Sequence, residues 1–483
     1  MSLTSPIAAT RSPYNPKAER PVLTPSQSLA AVSPLRYMAS LVHRTHDVCR
    51  GDSERARIQR NAVAAFSVRI ASAGILYLTQ VVLARWMGAF EYGVYVFVWT
   101  WVLVLCGLSQ LGLPTLAIRL VPEYRARAEH ARLRGFLLGS RAVALLVGTA
   151  VACAGLVSIW LLGERLDNPY ALPVCLALAC VPLCAVSDVQ DGIGRGRGWI
   201  AVGLVPPYLL RPLLLLGCMA AAHVAGFPTN AVTAAGSAVV ATWTAAIVQM
   251  LLIARQFRGE LPAGSRRYDY KGWLGAALPL MAITGCELAL QNADVLIVSV
   301  YMSPTEVGMY FAAAKTMSLV MFIHYAVGSA VANRFAALKA RGDQDGLKAL
   351  VRDAVSWTFW PTLAGTALIL ALGKPLLWLF NPEFTAAYPA MLVLALGFLV
   401  RASMGPAEFV LNMLGEQGLC ALVLAASAVL DVALSFALVP AFGMMGAAAA
   451  TAIALTAAAL MNYAVARRRL ELEVSIWTSL RGR

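Results

Sequence analysis

The sequence predicts an all-α membrane protein of about twelve transmembrane helices in two six-helix lobes related by an internal repeat. Three observations predict it. Of 483 residues, 59% are hydrophobic and 13% charged, against about 45–50% and about 25% in a typical soluble domain. The apolar residues gather in blocks of about 20, the length that crosses about 30 Å of hydrocarbon. A short motif also recurs after 215 residues, as Glu91-Tyr92-Gly93-Val94-Tyr95 and Glu306-Val307-Gly308-Met309-Tyr310.

Taken in order, residues 1–60 are rich in Pro, Ser and Arg and hold no sustained apolar run. They read as a disordered cytoplasmic tail, without the apolar centre of a signal peptide. The first lobe, 61–254, holds apolar blocks near 62–83, 94–120, 136–162, 170–190, 200–222 and 231–254. The fifth contains Pro206, Pro207 and Pro212, which lack backbone donors and should break or kink it. The basic segment 255–271 is the expected cytoplasmic linker. The second lobe, 272–470, holds blocks near 273–300, 307–331, 351–372, 387–411, 416–440 and 443–466. Small residues such as Gly446–Ala450 suit the last two to close helix packing. Residues 471–483 form a second cytoplasmic tail. Each lobe has an even number of helices, so the two repeats run parallel.

Charge fixes the expected orientation. Connections after even-numbered blocks, with the C-terminal tail, carry 20 Lys and Arg; those after odd-numbered blocks carry only Arg85, Arg165 and Lys374. Lys and Arg are retained on the cytoplasmic side, so both termini are expected there, in a bacterial inner membrane. The net charge of +14 thus reads as topology signal and contact with anionic membrane lipids. It lacks the aromatic interleaving of a nucleic-acid groove, and no nucleic-acid partner is expected. Nine cysteines lie mostly inside apolar blocks, and the spacing of Cys175, Cys180 and Cys184 matches no zinc or redox pattern. They read as packing residues, with no metal. The aromatics Trp86, Tyr92, Trp160 and Trp378 read as an interface belt.

Local runs carry a family resemblance. Leu83 to Tyr95, Gly112-Leu113-Pro114, Arg119 to Tyr124, Asn292 to Ile297 and Pro440 to Ala448 resemble Wzx-type oligosaccharide-lipid flippases of polysaccharide biosynthesis. Their superfamily also holds the multidrug and toxin extruders and the lipid II flippases. The resemblance covers residues 60 to 470. It implies a V-shaped bundle around a central cavity, and a polyprenyl-diphosphate-linked oligosaccharide moved from inner to outer leaflet by alternating access. A polysaccharide polymerase or export machinery is an expected neighbour.

Ionisable groups inside spans are costly and mark candidate sites. The cations Arg69, Arg119, Arg141, Arg211 and Arg401 suit a diphosphate head, because a guanidinium pairs bidentately with phosphate. Arg119 and Arg141 can also snorkel to the cytoplasmic interface. Glu287, Asp294 and Lys315 form the candidate coupling set. Asp294 and Lys315 lie at similar depth on consecutive helices, so they read either as a structural ion pair or as a site for Na+ or H+. Their counterparts in the first lobe are Thr79 and Thr100. Glu408, Asp431 and His324 are further polar groups at membrane depth. No bound cofactor is expected. A cation-coupled drug antiporter is the alternative within transport, and a membrane polysaccharide polymerase or ligase the alternative from another class. The expected outer connections are short and hold no acid/base constellation, so no enzymatic activity is expected.

Overall fold

The computed structural model describes residues 54–162 and 169–481. The expected N-terminal tail, up to residue 53, and Arg165 lie outside the described residues. The described residues from Ala64 onward form one compact unit. Its described residues are helical, with no strand.

Helix α1 (Glu54–Ser109) runs 56 residues, about 84 Å if straight and nearly three times the hydrocarbon thickness. It is not straight. Gly88 takes φ 80° and ψ 171°, a conformation open to glycine alone. Tyr92 donates to Gln80 Oε1 at 3.0 Å, although a straight helix would hold those residues about 18 Å apart. The two arms are therefore separate crossings. The second is continued by α2 (Leu113–Ala126) after a left-handed break at Leu111 and Gly112.

Helix α3 (His130–Leu162) is the third crossing. The fourth is a pair, α4 (Ala171–Leu178) and α5 (Val181–Arg197), bent by 44°. Pro182, in the first turn of α5, removes a donor there. The fifth consists of α6 (Ile200–Val205) and α7 (Arg211–Val224), joined through a π-helical turn at Pro206–Leu210. The three prolines thus widen this helix by a turn where a break or kink was expected. Helix α8 (Ala231–Arg258) completes the lobe, its first turn capped by Asn230.

The second lobe runs through α9 (Tyr270–Tyr301), then α10 (Pro304–Ser318) with α11 (Met321–Arg341), then α12 (Gln344–Ala371). A short helix, α13 (Gly373–Phe380), occupies what the sequence suggested was a connection. Next come α14 (Tyr388–Ser403) and α15 (Ala407–Met413), divided at Gly405 with φ +56°. Helices α16 (Gln417–Phe442) and α17 (Met444–Leu470) close the lobe. Ten helical stretches are long and apolar enough to cross a bilayer, and the α4–α5 pair is an eleventh. With α1 folded at Gly88, the described residues make twelve crossings.

The outward surface shows what solvent this fold expects. Only 17% of the most apolar stretch of α3 is buried, and Leu146, Val157 and Trp160 stand exposed along it. Such a surface is costly in water and free in lipid. The chain is a multi-pass membrane protein. The face carrying the Arg-rich connections is called the basic face below.

Two features depart from simple lobes. The half of α9 near the basic face packs on the first lobe: Trp273 Nε1 donates to the Tyr124 hydroxyl at 3.1 Å and stands edge-on to Phe136. The linker is tied to α3 by Arg134, which donates to the carbonyls of Ser265 and Pro262. The tail after Leu470 is docked, with Leu472, Val474 and Ile476 buried against α11, α12 and α15.

The repeated motifs meet. A side chain added at Gly308 would touch Gly93 Cα at 3.3 Å and Tyr92 Cδ1 at 3.2 Å, and one added at Gly93 would run into the Pro304 backbone carbonyl. Two glycines one repeat apart thus allow the lobes to touch at the turns opposite the basic face. Tyr92, expected in the interface belt, is fully buried there instead. It packs among Phe311, Phe380 and Phe384 of the other lobe.

Candidate functional site

Polar groups at membrane depth fall into three networks, one in the first lobe and two in the second. The first-lobe network starts from the π turn, which sets Arg211 at the head of α7. Its Nη1 donates to Cys184 Sγ at 3.6 Å, and the guanidinium carbon lies 5.4 Å from the Trp99 ring centre. Arg211 borders a cavity of about 30 Å³ with Thr79, Gln80, Tyr95, Trp99 and Thr242. Its lining comes entirely from the first lobe, and its volume suits a water or two, far short of a sugar diphosphate.

Behind Arg211, Cys106 donates to Asp188 Oδ2 at 3.3 Å. The two sulfurs of Cys106 and Cys184 and a carboxylate oxygen of Asp188 all lie within 4.8 Å of one another. Two thiols and a carboxylate are zinc-type ligands, but the Arg211 guanidinium occupies the positive place in this cluster. It is best described as a charge-balanced hydrogen-bond network. Nearby, Ser187 donates to Gln249, which donates to the Gly203 carbonyl, joining α5, α8 and α6.

The second network lies where α14 breaks at Gly405. Arg401 Nη2 lies 2.9 Å from Glu408 Oε2, and His324 Nε2 lies 3.2 Å from Glu408 Oε1. Tyr325 and Glu287 stand beside this triad, both exposed along their helices. Arg401 is thus matched by a protein carboxylate, whereas the sequence suggested a cation awaiting phosphate.

The third network joins α9, α10, α16 and α17. Asp294 accepts from the Tyr310 hydroxyl at 2.6 Å and from the Val295 amide at 2.8 Å. Lys315 and Asp294 act on each other electrostatically without a salt-bridge contact among the described residues; the Lys315 ammonium lies over the Phe311 ring, 5.2 Å from the centre. The counterparts Thr79 and Thr100 are buried and bond back to their own helices at Ile75 and Val96. Asp431 is buried, and neither carboxylate oxygen reaches a donor at hydrogen-bond geometry. The Thr451 hydroxyl lies beside it, and the charge of Asp294 acts on it.

The remaining candidates are scattered. Arg119 is exposed near the basic face, 3.9 Å from Glu123. Arg69 lies on α1, with its side chain outside the described residues. Arg141, on α3, keeps Nε and Nη2 buried with no partner among the described residues. Sequence reasoning missed Asp188. It lies at the end of an apolar block, where a polar residue looks like the start of a loop, and only the bend before α5 carries it inside. It also read Tyr310 only as part of the repeated motif and left Thr451 unnamed, because hydroxyls in a span carry little signal without their partners.

Comparison with known proteins adds the lineage. The family model described as "Polysaccharide biosynthesis protein" matches residues 58–338, more than half of the chain. The probable low-salt glycan biosynthesis flippase Agl15 of Haloferax volcanii is 24% identical over 161 residues, 33% of this chain. The alignment spans 34%, about a third, of that relative's length. Among solved structures, an inward-facing multidrug resistance MATE family transporter of the MOP superfamily superposes with a TM-score of 0.66 at 14% identity, covering 84% of this chain and 94% of that one. An outward-facing form gives 0.63 at 16% identity, over 88% and 97%. A MOP superfamily transporter from Pyrococcus furiosus, whose binding pocket is described as of reverse polarity, gives 0.61 at 16% identity, over 88% and 97%. These likenesses establish a shared fold.

Proposed function

Because the chain belongs to the polysaccharide biosynthesis protein family, we propose that it is a flippase that moves a polyprenyl-diphosphate-linked oligosaccharide across a bacterial inner membrane. The basic face is the cytoplasmic one, so both termini are cytoplasmic, and the cargo passes from inner to outer leaflet. The observation that carries the cargo class is Arg141, a guanidinium at membrane depth whose buried Nε and Nη2 have no partner among the described residues. An unpaired buried cation is expensive, and a phosphate oxygen pair is the ligand that fits its fork. Arg211 and Arg401 support the site less directly, since Asp188 and Glu408 already answer their charge.

The driving force in this reading is a cation gradient acting at Asp294 and Asp431. Two carboxylates from α9 and α16, with the Thr451 hydroxyl beside them, offer the hard oxygen ligands a Na+ ion takes. Carboxylates that feel each other's charge also favour holding a proton on one of them. Binding of either ion would relieve Asp431, a buried carboxylate with only the Thr451 hydroxyl beside it.

Reconstitution with a fluorescent polyprenyl-diphosphate sugar tests both parts. The protein should speed leaflet exchange, and Arg141→Ala should slow it at least tenfold at unchanged protein level. Asp431→Asn should leave exchange insensitive to collapse of the Na+ and H+ gradients. Exchange no faster than in empty vesicles would reject the cargo. Equal gradient dependence in wild type and Asp431→Asn would reject the coupling site.

A further inference from the structure

The two lobes are clasped opposite the basic face by one side chain that no candidate site includes. Arg85, at the end of the first arm of α1, donates through Nε to the Leu379 carbonyl at 2.8 Å and through Nη2 to the Trp378 carbonyl at 2.7 Å. Its guanidinium carbon also lies 4.4 Å from the Trp378 ring centre. Those carbonyls belong to the last turn of α13, where a helix leaves acceptors unsatisfied and its dipole is negative. A planar fork with two parallel donors suits two successive carbonyls, while its face suits an indole ring.

The clasp stands over a longer seam. Below it, Tyr77 stands edge-on to Phe380 at 5.3 Å, and its hydroxyl lies 3.2 Å from Thr316 Oγ1. Tyr77 is eleven residues from the fold at Gly88, so the seam reaches about 16 Å inward, roughly half the hydrocarbon thickness. The lower contacts are apolar or neutral and the rim contact is charged. The repeat does not require it, because the position one repeat after Arg85 is Val300.

We propose that Arg85 is an outer latch, which holds the outer end of the gap between the lobes shut and must release Trp378 and Leu379 before cargo can leave. Only the direction "outer" rests on the orientation proposed above. Arg85 and Trp378 are both exposed, so water can replace these bonds on release and reform them on closing. A fully buried ion pair could not cycle so cheaply.

The test uses the full chain in lipid nanodiscs, with spin labels on noncanonical residues at Phe90 and Leu379. Both side chains are exposed, and Leu379 serves the latch only through its carbonyl. Wild type should give a dominant short-distance population and a minor longer-distance one. Arg85→Gln should raise the longer-distance population at least threefold, and Arg85→Lys, a point charge without the fork, should fall between. Identical distributions for wild type and Arg85→Gln would overturn the latch. Should Arg85→Gln lose its cooperative thermal transition, Trp378→Leu takes its place, keeping the carbonyl and removing the ring; a distribution unchanged by it would likewise overturn the proposal. A shifted distribution in a protein that does not move the diphosphate sugar would leave the latch standing and remove the cargo.

Discussion

At the scale of single residues, the charges inside this bundle divide by whether the protein itself answers them. Glu408 answers Arg401 at 2.9 Å and also meets His324. Arg141 has no such partner for two of its nitrogens. The distinction has measurable consequences. Glu408→Ala strands a largely buried guanidinium, which costs about 3–5 kcal/mol, whereas removing both charges of a buried pair is close to neutral. Thermal unfolding in nanodiscs should therefore show Glu408→Ala strongly destabilised and Arg401→Met/Glu408→Ala restored most of the way. Equal melting of the single and double variants would show that the pair is already solvated. Asp431 represents a third case, a buried carboxylate with only the Thr451 hydroxyl beside it, and this is why it carries the coupling proposal while the better-satisfied Asp294 plays the supporting part.

At the scale of elements, breaks do the positioning. The fold at Gly88 makes two crossings out of α1, the π turn at Pro206–Leu210 sets the direction of Arg211, and Gly405 turns Glu408 back toward Arg401. The repeated glycines show the same economy where helices cross. A methyl at Gly93 would collide with the backbone carbonyl of Pro304, which cannot rotate away, while one at Gly308 meets contacts of 3.2–3.4 Å that small shifts absorb. Gly93→Ala is thus expected to cost about 1–3 kcal/mol through overpacking and to lower the melting temperature by several degrees. Gly308→Ala should change it by less than half as much. Melting curves of the two variants in the same lipid check this ordering, and a larger loss at Gly308 would contradict the contact.

At the scale of the whole molecule, the two lobes are joined unequally. Opposite the basic face they share the glycine contact, the aromatic cluster around Tyr92 and the Arg85 latch. Toward the basic face, α9 leans on the first lobe through Trp273. The docked segment after Leu470 joins α11, α12 and α15 at the basic end. If that end is cytoplasmic, a membrane-impermeant amine label on right-side-out vesicles should fail to modify Lys348, and the same label on inverted vesicles should modify it. Labelling from the outside would reverse the proposed direction of transport.

What the sequence determined alone were properties that depend on length, composition and order. Blocks of about 20 apolar residues specify crossings because lipid offers no partner for an open backbone. The uneven distribution of Lys and Arg marks one face, and the 215-residue repeat marks two lobes. The candidate charges were legible too, since any charge in such a block stands out. Their partners were not. Lys315 looked paired with Asp294 because depth along two helices can be counted, but rotation about each helix axis cannot. Packing turned Lys315 over Phe311 and gave Asp294 to Tyr310. Asp188 entered the first-lobe network only through the bend between α4 and α5, and Arg85 met α13 only through closure of the lobes. Those contacts join residues far apart in the chain, so only the tertiary structure could decide which charges the protein itself answers.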